Sequence, residues 1–140
     1  MPRMKKEFLD SYHTVASYEL DSFGHVNNAT FLNYLEKARC DYMTLKGLSF
    51  TDFSRWKKFP VVTKASLIFK YPAYADDKLL IRGWIAEFSA AAFSLRYEIF
   101  NRDNDKLLLT GETGHVFVNE NNRPSRIPKE FYDKFIAHLV

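Results

Sequence analysis

The sequence predicts an α+β fold in which one long helix lies on an antiparallel sheet of about five strands. Apolar side chains between residues 31 and 45 recur with the 3.6-residue period of a helix, and no proline interrupts them. Four strand-like runs joined by short turns then follow one another between residues 60 and 119, as in antiparallel sheets. A strand of about 11 residues is ~36 Å long and a helix of about 18 residues is ~27 Å long. The sheet is therefore long enough to wrap around the helix.

The chain before and after the helix is less regular. Residues 1–10 are interpreted as a lead-in, and residues 12–20 as a first strand that ends at Asp21. The Asp-Ser-Phe-Gly that follows has the composition of a turn. Residues 47–59 are predicted to be irregular with one short turn of helix. Three residues are possible caps for that turn: Thr51, Asp52 and Ser54.

The long helix is predicted over residues 28–46. Asn27 and Asn28 are both of a residue type that caps helix N-termini, and Gly47 is a natural stop. The expected inward face carries six apolar residues: Phe31, Tyr34, Leu35, Ala38, Tyr42 and Leu45. This face predicts the side of the helix that packs on the sheet.

The strand-like runs cover residues 60–71, 78–88, 91–101 and 106–119. The alternation of apolar and polar residues is clearest in the third run, where four apolar residues share one face: Phe93, Leu95, Tyr97 and Ile99. Gly111 and Gly114 in the last run indicate bulges or a close approach of another backbone. Pro128 is suited to the first position of a terminal helix with three residues inward: Phe131, Phe135 and Leu139.

Composition limits the classes of function. The 140 residues suit one domain, 1–140, and a net charge of +3 without a long basic run argues against nucleic acid. The single Cys40 excludes an internal disulfide and a cysteine-rich metal site. No pair of His or carboxylate residues has metal-ligand spacing, and no glycine-rich phosphate loop is present, so we expect no metal and no cofactor. The basic start is not followed by an apolar run and no stretch is long enough to span a membrane, which predicts a cytoplasmic protein without membrane partners.

The start of the long helix is where the sequence indicates chemistry. Its first backbone N–H groups have no intrahelical partner and form a positive pole. A carbonyl oxygen held there is polarised, and the charge that it gains during acyl transfer is stabilised. Asp21 lies a few residues upstream, within reach of the same point if the chain turns at Gly24. A carboxylate beside such a helix end suits hydrolysis of an activated acyl group.

These residues also carry a resemblance. Residues 21–39, D-S-F-G-H-V-N-N-A-T-F-L-N-Y-L-E-K-A-R, resemble the signature of hotdog-fold acyl thioesterases of the 4-hydroxybenzoyl-CoA thioesterase and YbgC-like group. The later G-E-T-G-H-V-F-V-N and R-P-S-R-I-P-K-E-F resemble the last strand and tail of that family. The resemblance implies a hotdog fold, an acyl-CoA or acyl-carrier-protein substrate, and a homodimer or homotetramer with its sites at the subunit interface.

The resemblance also assigns roles to residues. Asp21 matches the catalytic carboxylate, as nucleophile or as general base, and the backbone N–H of Asn28 matches the contact to the thioester carbonyl. His25 is expected in the site, where it binds that carbonyl, orients Asp21 or packs. Three neighbours are expected to contact substrate: Gly24, Asn27 and Phe31. Plant acyl-ACP thioesterases have a D-x-N-x-H motif with a catalytic Asn, and this chain has Phe23 in place of that Asn. The departure argues against an Asp/Asn/His mechanism and leaves Asp21 with fewer catalytic partners.

Other residues are given structural roles. Glu36 and Arg39 are expected to pair along the helix, and His115 is expected to pack or hydrogen-bond within the sheet.

The sequence leaves two alternatives to thioester hydrolysis open. One is a non-catalytic protein that binds acyl ligands in the same pocket, and the other is a hydratase or dehydratase on the same fold. The absence of a polar pocket signature favours a fatty acyl group.

Overall fold

The computed structural model describes residues 4–140 of the chain and confirms the α+β hotdog architecture. The strands are β1 (Leu9–Thr14), β2 (Lys58–Phe69), β3 (Lys78–Phe88), β4 (Ala92–Asn101) and β5 (Leu107–Asn119). The helices are α1 (Asn28–Leu45), α2 (Phe50–Trp56) and α3 (Lys129–Phe135), with short 3-10 turns at Ser17–Glu19 and Ala137–Leu139. Residues 1–3, part of the predicted lead-in, lie outside the described residues.

The five strands form one antiparallel sheet in the order β1-β3-β4-β5-β2. Alternate residues of the central strands β3 and β4 are buried, so one face of the sheet is covered by the helix and the other is more open. The inward face predicted for β4 is confirmed, because its four apolar residues are all buried: Phe93, Leu95, Tyr97 and Ile99.

Helix α1 packs on this face at a point where the sheet has no side chain. A Cβ at Gly83 would lie 2.8 Å from the Tyr42 ring, so only glycine lets the helix approach this closely. The Tyr42 hydroxyl donates a 2.8 Å hydrogen bond to the Ile81 carbonyl, which fixes the contact. Five of the six residues predicted to face inward are buried: Phe31, Tyr34, Leu35, Ala38 and Tyr42. Leu45 is 61% exposed because the helix ends at this residue.

The helix ends agree with the prediction except for the identity of the cap. Asn27 is the N-cap, and its side-chain oxygen accepts a 2.8 Å hydrogen bond from Ala29 N–H. Asn28, the other predicted cap, is the first helical residue instead, because only Asn27 has the extended backbone from which a cap side chain reaches back. Gly47 has a φ of +74° just beyond the helix, which is the left-handed stop that glycine favours.

The first strand was predicted too late in the chain. β1 is Leu9–Thr14 rather than residues 12–20, and a 3-10 turn follows at Ser17–Glu19. Its start is set by antiparallel pairing with β3, where Leu9 lies opposite Gly83. Because a strand end depends on the partner strand, the local pattern gave the wrong boundaries.

The segment before β2 contains a proper helix. Ser49 caps α2, and Asp52 completes the capping box by accepting from the Ser49 backbone N–H at 2.8 Å. The Asp52 carboxylate also pairs with Arg55 at 2.8 Å. The predicted caps Thr51 and Ser54 therefore lie inside the helix, and only Asp52 has a capping role.

The irregularities of the sheet lie elsewhere than predicted. The register of β2 against β5 shifts between Val62 and Lys64, whereas β5 itself runs regularly past Gly111. A Cβ at Gly111 would lie 2.9 Å from the Leu67 side chain and 3.4 Å from the Ser66 backbone oxygen, so the predicted close approach at Gly111 is made mainly by a side chain. Gly114 lies opposite the bulge.

The C-terminal helix closes one end of the core. Pro128 is the N-cap of α3 rather than its first residue, and Phe131, Phe135 and Leu139 are buried as predicted. Within residues 4–140, no helix combines the length and apolar character that are needed to cross a membrane.

Candidate active site

The loop between the 3-10 turn and α1 is tightly closed. An antiparallel bridge joins Leu20 to Val26, and Asp21 N–H donates to the His25 carbonyl at 2.7 Å. Gly24 N–H donates back to the Asp21 carbonyl at 3.1 Å, and Gly24 has a φ of +82°. A Cβ at Gly24 would meet no atom within 4 Å, so the glycine is required by backbone conformation and not by space.

The Asp21 carboxylate has one oxygen held by the loop and one that is free. Its Oδ1 accepts the Phe23 N–H at 2.9 Å and the His25 N–H at 3.4 Å, as in an Asx-turn. Among the described residues Oδ2 has no hydrogen-bond partner. The side chain is therefore oriented by the backbone while one oxygen stays available to a substrate or a water.

The first backbone N–H of α1 is the second functional group of the site. Ala29 N–H is satisfied by the Asn27 side chain, and Thr30 N–H donates to the Asn27 carbonyl at 2.9 Å. Within residues 4–140, Asn28 N–H makes no such hydrogen bond. It lies at the positive end of an 18-residue helix, where a carbonyl oxygen is a favourable partner.

Asp21 and Asn28 line the same surface cleft, of about 210 Å³. The wall on the helix side also includes His25, Val26 and Phe31. The opposite wall is the end of β2 and the turn after it: Phe69, Lys70, Tyr71 and Pro72. The cleft thus combines a free carboxylate oxygen, a helix N-terminus and aromatic walls.

The structure separates the remaining predicted site residues into two groups. Phe31 lines the cleft, packed edge-on against Phe69 with ring centroids 5.8 Å apart. Gly24 and Asn27 are not part of its wall; one shapes the loop and the other caps the helix. These two residues position the site without facing it.

His25 lines the cleft, but its imidazole does not touch the carboxylate. The ring packs edge-on against Tyr74, with centroids 5.2 Å apart, and only the His25 backbone N–H reaches Asp21. No hydrogen bond involves its ring nitrogens within the described part of the chain. The arrangement is therefore not an Asp–His dyad.

A cluster of ionisable groups stabilises the segment that precedes α1. Glu19 accepts from Ala16 N–H at 2.7 Å and pairs with His13 Nε2 at 2.9 Å, while its carbonyl accepts Asn27 N–H at 3.2 Å. Burial acts to raise the pKa of Glu19, but the hydrogen bonds from Ala16 and His13 outweigh it and hold that pKa below its ordinary value. Burial and the charge of Glu19 together raise the pKa of the Tyr34 hydroxyl.

Sequence reasoning missed the β2 side of the cleft. Lys70 and Tyr71 follow β2, whose residue pattern is that of an ordinary strand. No local signal in the sequence shows that the end of β2 faces the start of α1. Lys106 packs its ammonium 3.8 Å from the centre of the Tyr71 ring, so two positive charges lie at this side of the cleft. Among the described residues neither lysine forms an ion pair.

The predicted pair of Glu36 and Arg39 is wrong. Arg39 turns inward instead, and its Nη1 donates to the Tyr97 hydroxyl at 3.2 Å. A buried acceptor fixed in the sheet binds the guanidinium in preference to an exposed carboxylate one turn away. His115 hydrogen-bonds within the sheet, as predicted, through a 2.8 Å contact to Thr113.

Comparisons with known proteins identify the family of the chain. The sequence model of the thioesterase-like superfamily matches residues 15–135. The chain is 29% identical over 133 residues to the chloroplastic acyl-acyl carrier protein thioesterase ATL3 of Arabidopsis thaliana, covering 95% of this chain and 70% of that protein. It is 25% identical over 108 residues to a 1,4-dihydroxy-2-naphthoyl-CoA hydrolase of Crocosphaera subtropica, covering 76% of this chain and 79% of that protein.

The fold is shared with a solved structure from a third organism. The chain superposes on a 1,4-dihydroxy-2-naphthoyl-CoA thioesterase from Synechocystis with a TM-score of 0.87. The match covers 94% of this chain and 97% of that one at 22% identity. At this identity the match supports the fold and leaves the choice of substrate open.

Proposed function

Because this chain belongs to the thioesterase-like superfamily and is a thioester hydrolase, we propose that its active site is the cleft between the start of α1 and the end of β2. The observation that carries the proposal is that the free oxygen of Asp21 and the unpaired N–H of Asn28 line one cleft. A nucleophile or base and an oxyanion donor are the two groups that acyl transfer requires.

The substrate is an acyl thioester of coenzyme A or of an acyl carrier protein. Both carriers are anionic near the thioester arm, and Lys70 and Lys106 place positive charge on the β2 side of the cleft. Among its relatives, the plant protein named above is an acyl-acyl carrier protein thioesterase and the cyanobacterial one a CoA hydrolase. The geometry of the cleft suits the group that the two carriers share, the thioester at the end of a pantetheine arm.

In the general-base form of the reaction, Asp21 Oδ2 accepts a proton from a water whose oxygen attacks the thioester carbonyl carbon. The carbonyl oxygen becomes an oxyanion, which the Asn28 N–H and the positive helix end stabilise. The carbon–sulfur bond then breaks, and the thiolate takes the proton and leaves as the free thiol. In the nucleophilic form, Oδ2 itself attacks the carbonyl carbon, and the carbon–sulfur bond breaks to give an anhydride and a thiolate. Water then hydrolyses the anhydride to the free acid and regenerates the Asp21 carboxylate, and the proton that is released neutralises the thiolate.

His25 is proposed as a site residue that shapes the wall of the cleft, because its ring lines the cleft and packs on Tyr74. The separation of its ring from Asp21 supports hydrolysis over the hydratase alternative, in which an Asp–His dyad would be needed. The free Oδ2 of Asp21 supports hydrolysis over an acyl-binding protein without turnover.

The test is thiol release from a panel of acyl-CoAs, from short to long and including a benzoyl type, by wild type and Asp21→Asn. We expect the variant to lose about 10²–10⁴ of the wild-type kcat, which is the usual contribution of a positioned base. Asn keeps an oxygen acceptor for the Phe23 N–H, so the loop is preserved. Asp76→Asn is the matched control, because Asp76 is exposed in a left-handed turn position that Asn tolerates.

The panel separates the possible outcomes. If the Asp21→Asn and Asp76→Asn proteins hydrolyse the best substrate equally fast, Asp21 is not the catalytic group. If wild type cleaves no acyl-CoA, the panel is repeated with acyl carrier protein thioesters, and a lack of turnover on both carriers contradicts the proposed function.

We also propose that the chain forms a homodimer or a homotetramer in which subunits pair through the free edge of β2. This strand ends the sheet, is 12 residues long and carries five apolar side chains that are at least 37% exposed: Phe59, Val61, Val62, Ile68 and Phe69. A long apolar edge is normally covered by another strand. The opposite edge, β1, has 6 residues, and Lys37 Nζ donates to its Tyr12 carbonyl at 2.7 Å, which protects it.

A further inference from the structure

A second cavity lies at the other end of α1, between that helix, the sheet, α2 and α3. Its volume is about 160 Å³, and its walls are mainly aromatic and aliphatic. The deepest wall residues include Ile85, Phe53, Phe93, Phe131 and Phe135. None of them belongs to the cleft that holds Asp21.

One buried polar residue interrupts this apolar lining. His115 is 4% exposed, and its ring stacks on Phe93 with centroids 4.8 Å apart and an angle of 11° between the planes. Its Nε2 lies 2.8 Å from Thr113 Oγ1. Within residues 4–140, its Nδ1 has no hydrogen-bond partner. A ring nitrogen that has no partner among the described residues and belongs to a residue lining a cavity can bind a polar group of a ligand there.

The direction of the neighbouring hydrogen bonds fixes the state of that imidazole. Arg39 can only donate, and it donates to the Tyr97 hydroxyl oxygen at 3.2 Å. The Tyr97 hydroxyl, which is buried, lies 2.6 Å from Thr113 Oγ1 and has no other acceptor among the described residues. Every hydroxyl proton of this row has an acceptor within the row when Tyr97 donates to Thr113 and the Thr113 hydroxyl donates to His115 Nε2, and we adopt this fully paired arrangement.

It follows that Nε2 of His115 is an acceptor and carries no proton. In a neutral imidazole the single proton is then on Nδ1. His115 thus offers one N–H donor on the sheet side of the cavity, whose charged lining residues, Glu36 and Arg39, lie on α1. The cavity is complementary to an apolar group that carries one hydrogen-bond acceptor.

Both the cleft and the second cavity are bordered by residues of α1. Asn28 at the cleft and Glu36 and Arg39 at the second cavity are spaced as i, i+8 and i+11, so they lie on the same side of the helix. Leu32, between them on this side, is 42% exposed. The rise of a helix over the 11 residues from Asn28 to Arg39 is about 17 Å.

The strand opposite follows the same path. Phe69 of β2 lines the cleft, and Val62 and Pro60 of the same strand line the second cavity. An apolar chain whose thioester lies at Asn28 can therefore run between α1 and β2 and end in the second cavity.

We propose that the second cavity receives the far end of a long acyl chain, and that His115 selects chains carrying an oxygen acceptor there, such as a hydroxyl. This inference rests on the proposed function, because it places the thioester of the same chain at Asn28. His115 is a specificity-determining residue in this arrangement and takes no part in the chemical step.

The test compares two substrates of equal chain length, palmitoyl-CoA and ω-hydroxypalmitoyl-CoA. We expect wild type to favour the hydroxylated substrate in kcat/KM by about 5–10-fold, the effect of one hydrogen bond of ~1 kcal/mol. His115→Phe keeps an aromatic ring to stack on Phe93 but has no N–H. In this variant the preference is expected to disappear while palmitoyl-CoA is still hydrolysed.

A second variant keeps the test independent of the folding of the first. Thr113→Val is nearly isosteric and removes the hydroxyl that holds Nε2 as an acceptor, so it should weaken the preference with His115 still in place. An unchanged substrate ratio in folded His115→Phe, or in Thr113→Val if the first variant does not fold, overturns the proposal.

Binding of the free acids tests the cavity without hydrolysis. The ¹⁵N resonances of the His115 ring should show a proton on Nδ1, and the Nδ1 resonance should move more with ω-hydroxypalmitic acid than with palmitic acid. A proton on Nε2, or equal shifts with the two acids, contradicts the inference. If the hydroxy acid is selected but no thioester is cleaved, the proposed function fails and the binding site stands.

Discussion

His115 is a buried histidine whose pKa is strongly shifted by its surroundings. Burial, and then the nearby charge of Arg39, lower its pKa from an ordinary 6.5 to about 4. The folded protein therefore holds this imidazole neutral over a range in which the unfolded chain is protonated. The hydrogen-bonded row from Arg39 to His115 is favoured when the His115 imidazole is neutral, because a second positive charge would face the Arg39 guanidinium, and it depends on pH for that reason.

A stability measurement checks this assignment. The contribution of neutral His115 to the free energy of unfolding is complete above pH 6.5 and is lost as the pH falls from 6.5 to about 4. Over this range the unfolded chain binds a proton at His115 that the folded protein does not bind. The loss is roughly 3 kcal/mol at 1.36 kcal/mol for each pH unit of the shift. Chemical denaturation at several pH values should show that the free energy of unfolding falls less steeply for His115→Phe than for wild type. Parallel profiles over this window would show that the imidazole is already charged in the folded protein.

Among the described residues, the side chain of Asp21 is oriented by backbone groups and not by other side chains. Two N–H groups of its own loop, those of Phe23 and His25, hold one carboxylate oxygen. The orientation of the side chain is therefore determined within a five-residue loop and needs no distant partner. Because the orientation has a local origin, a short sequence motif is enough to specify it.

At the scale of the elements, the cap of α1 connects stability to the site. The Asn27 side chain satisfies Ala29 N–H, while the backbone N–H of Asn27 is anchored on the Glu19 carbonyl at 3.2 Å. The adjacent Asn28 N–H has no hydrogen-bond partner among residues 4–140, as the proposed oxyanion contact requires. The cap thus satisfies Ala29 N–H and leaves the proposed oxyanion donor unpaired within the described chain.

Replacing the cap is expected to lower both stability and activity. Asn27→Ala should cost about 1 kcal/mol in the free energy of unfolding, because Ala29 N–H loses its acceptor. Asn33→Ala is the matched control, since Asn33 is exposed in the middle of the same helix, where alanine is the better helix former. Urea denaturation and kcat of both variants provide the measurement. Equal stabilities for the two variants would show that the Asn27 side chain does not cap the helix.

At the scale of the whole molecule, the two edge strands of the sheet differ in length and in how well they are covered. β1 is short and partly protected by Lys37, whereas β2 is long, apolar and open along one side. Both the cleft and the second cavity are bordered by β2. A second copy on this edge would therefore cover the proposed path of the acyl chain, and assembly and substrate binding would be coupled.

Light scattering at increasing concentration tests the assembly. Wild type is expected to be at least a dimer, and Ile68→Asp, which introduces a charge at a 60% exposed position on β2, should shift it towards monomer. Tyr12→Asp, at a 53% exposed position on the opposite edge, is the control and should leave the assembly unchanged. A monomeric wild type, or dissociation caused by Tyr12→Asp alone, would contradict pairing through β2.

Several features of this protein were determined by the sequence itself. The apolar period of α1 and the glycine after it predicted residues 28–46, against an observed Asn28–Leu45, and β3 was predicted with its observed bounds. The motif around Asp21 predicted the family and the position of the cleft. These features are local: a helix period, a turn or a loop hydrogen bond involves residues that are close in the chain.

Only the tertiary structure decided the features that depend on distant partners. The start of β1 is set by pairing with β3, and the bulge in β2 by pairing with β5. Arg39 was expected to pair one turn away on its own helix, but it binds Tyr97, which is 58 residues further along the chain. The second cavity is formed by α1, α2, α3 and the sheet together. Residue patterns show which face of an element is buried, and they do not show which side chains of another element meet it there.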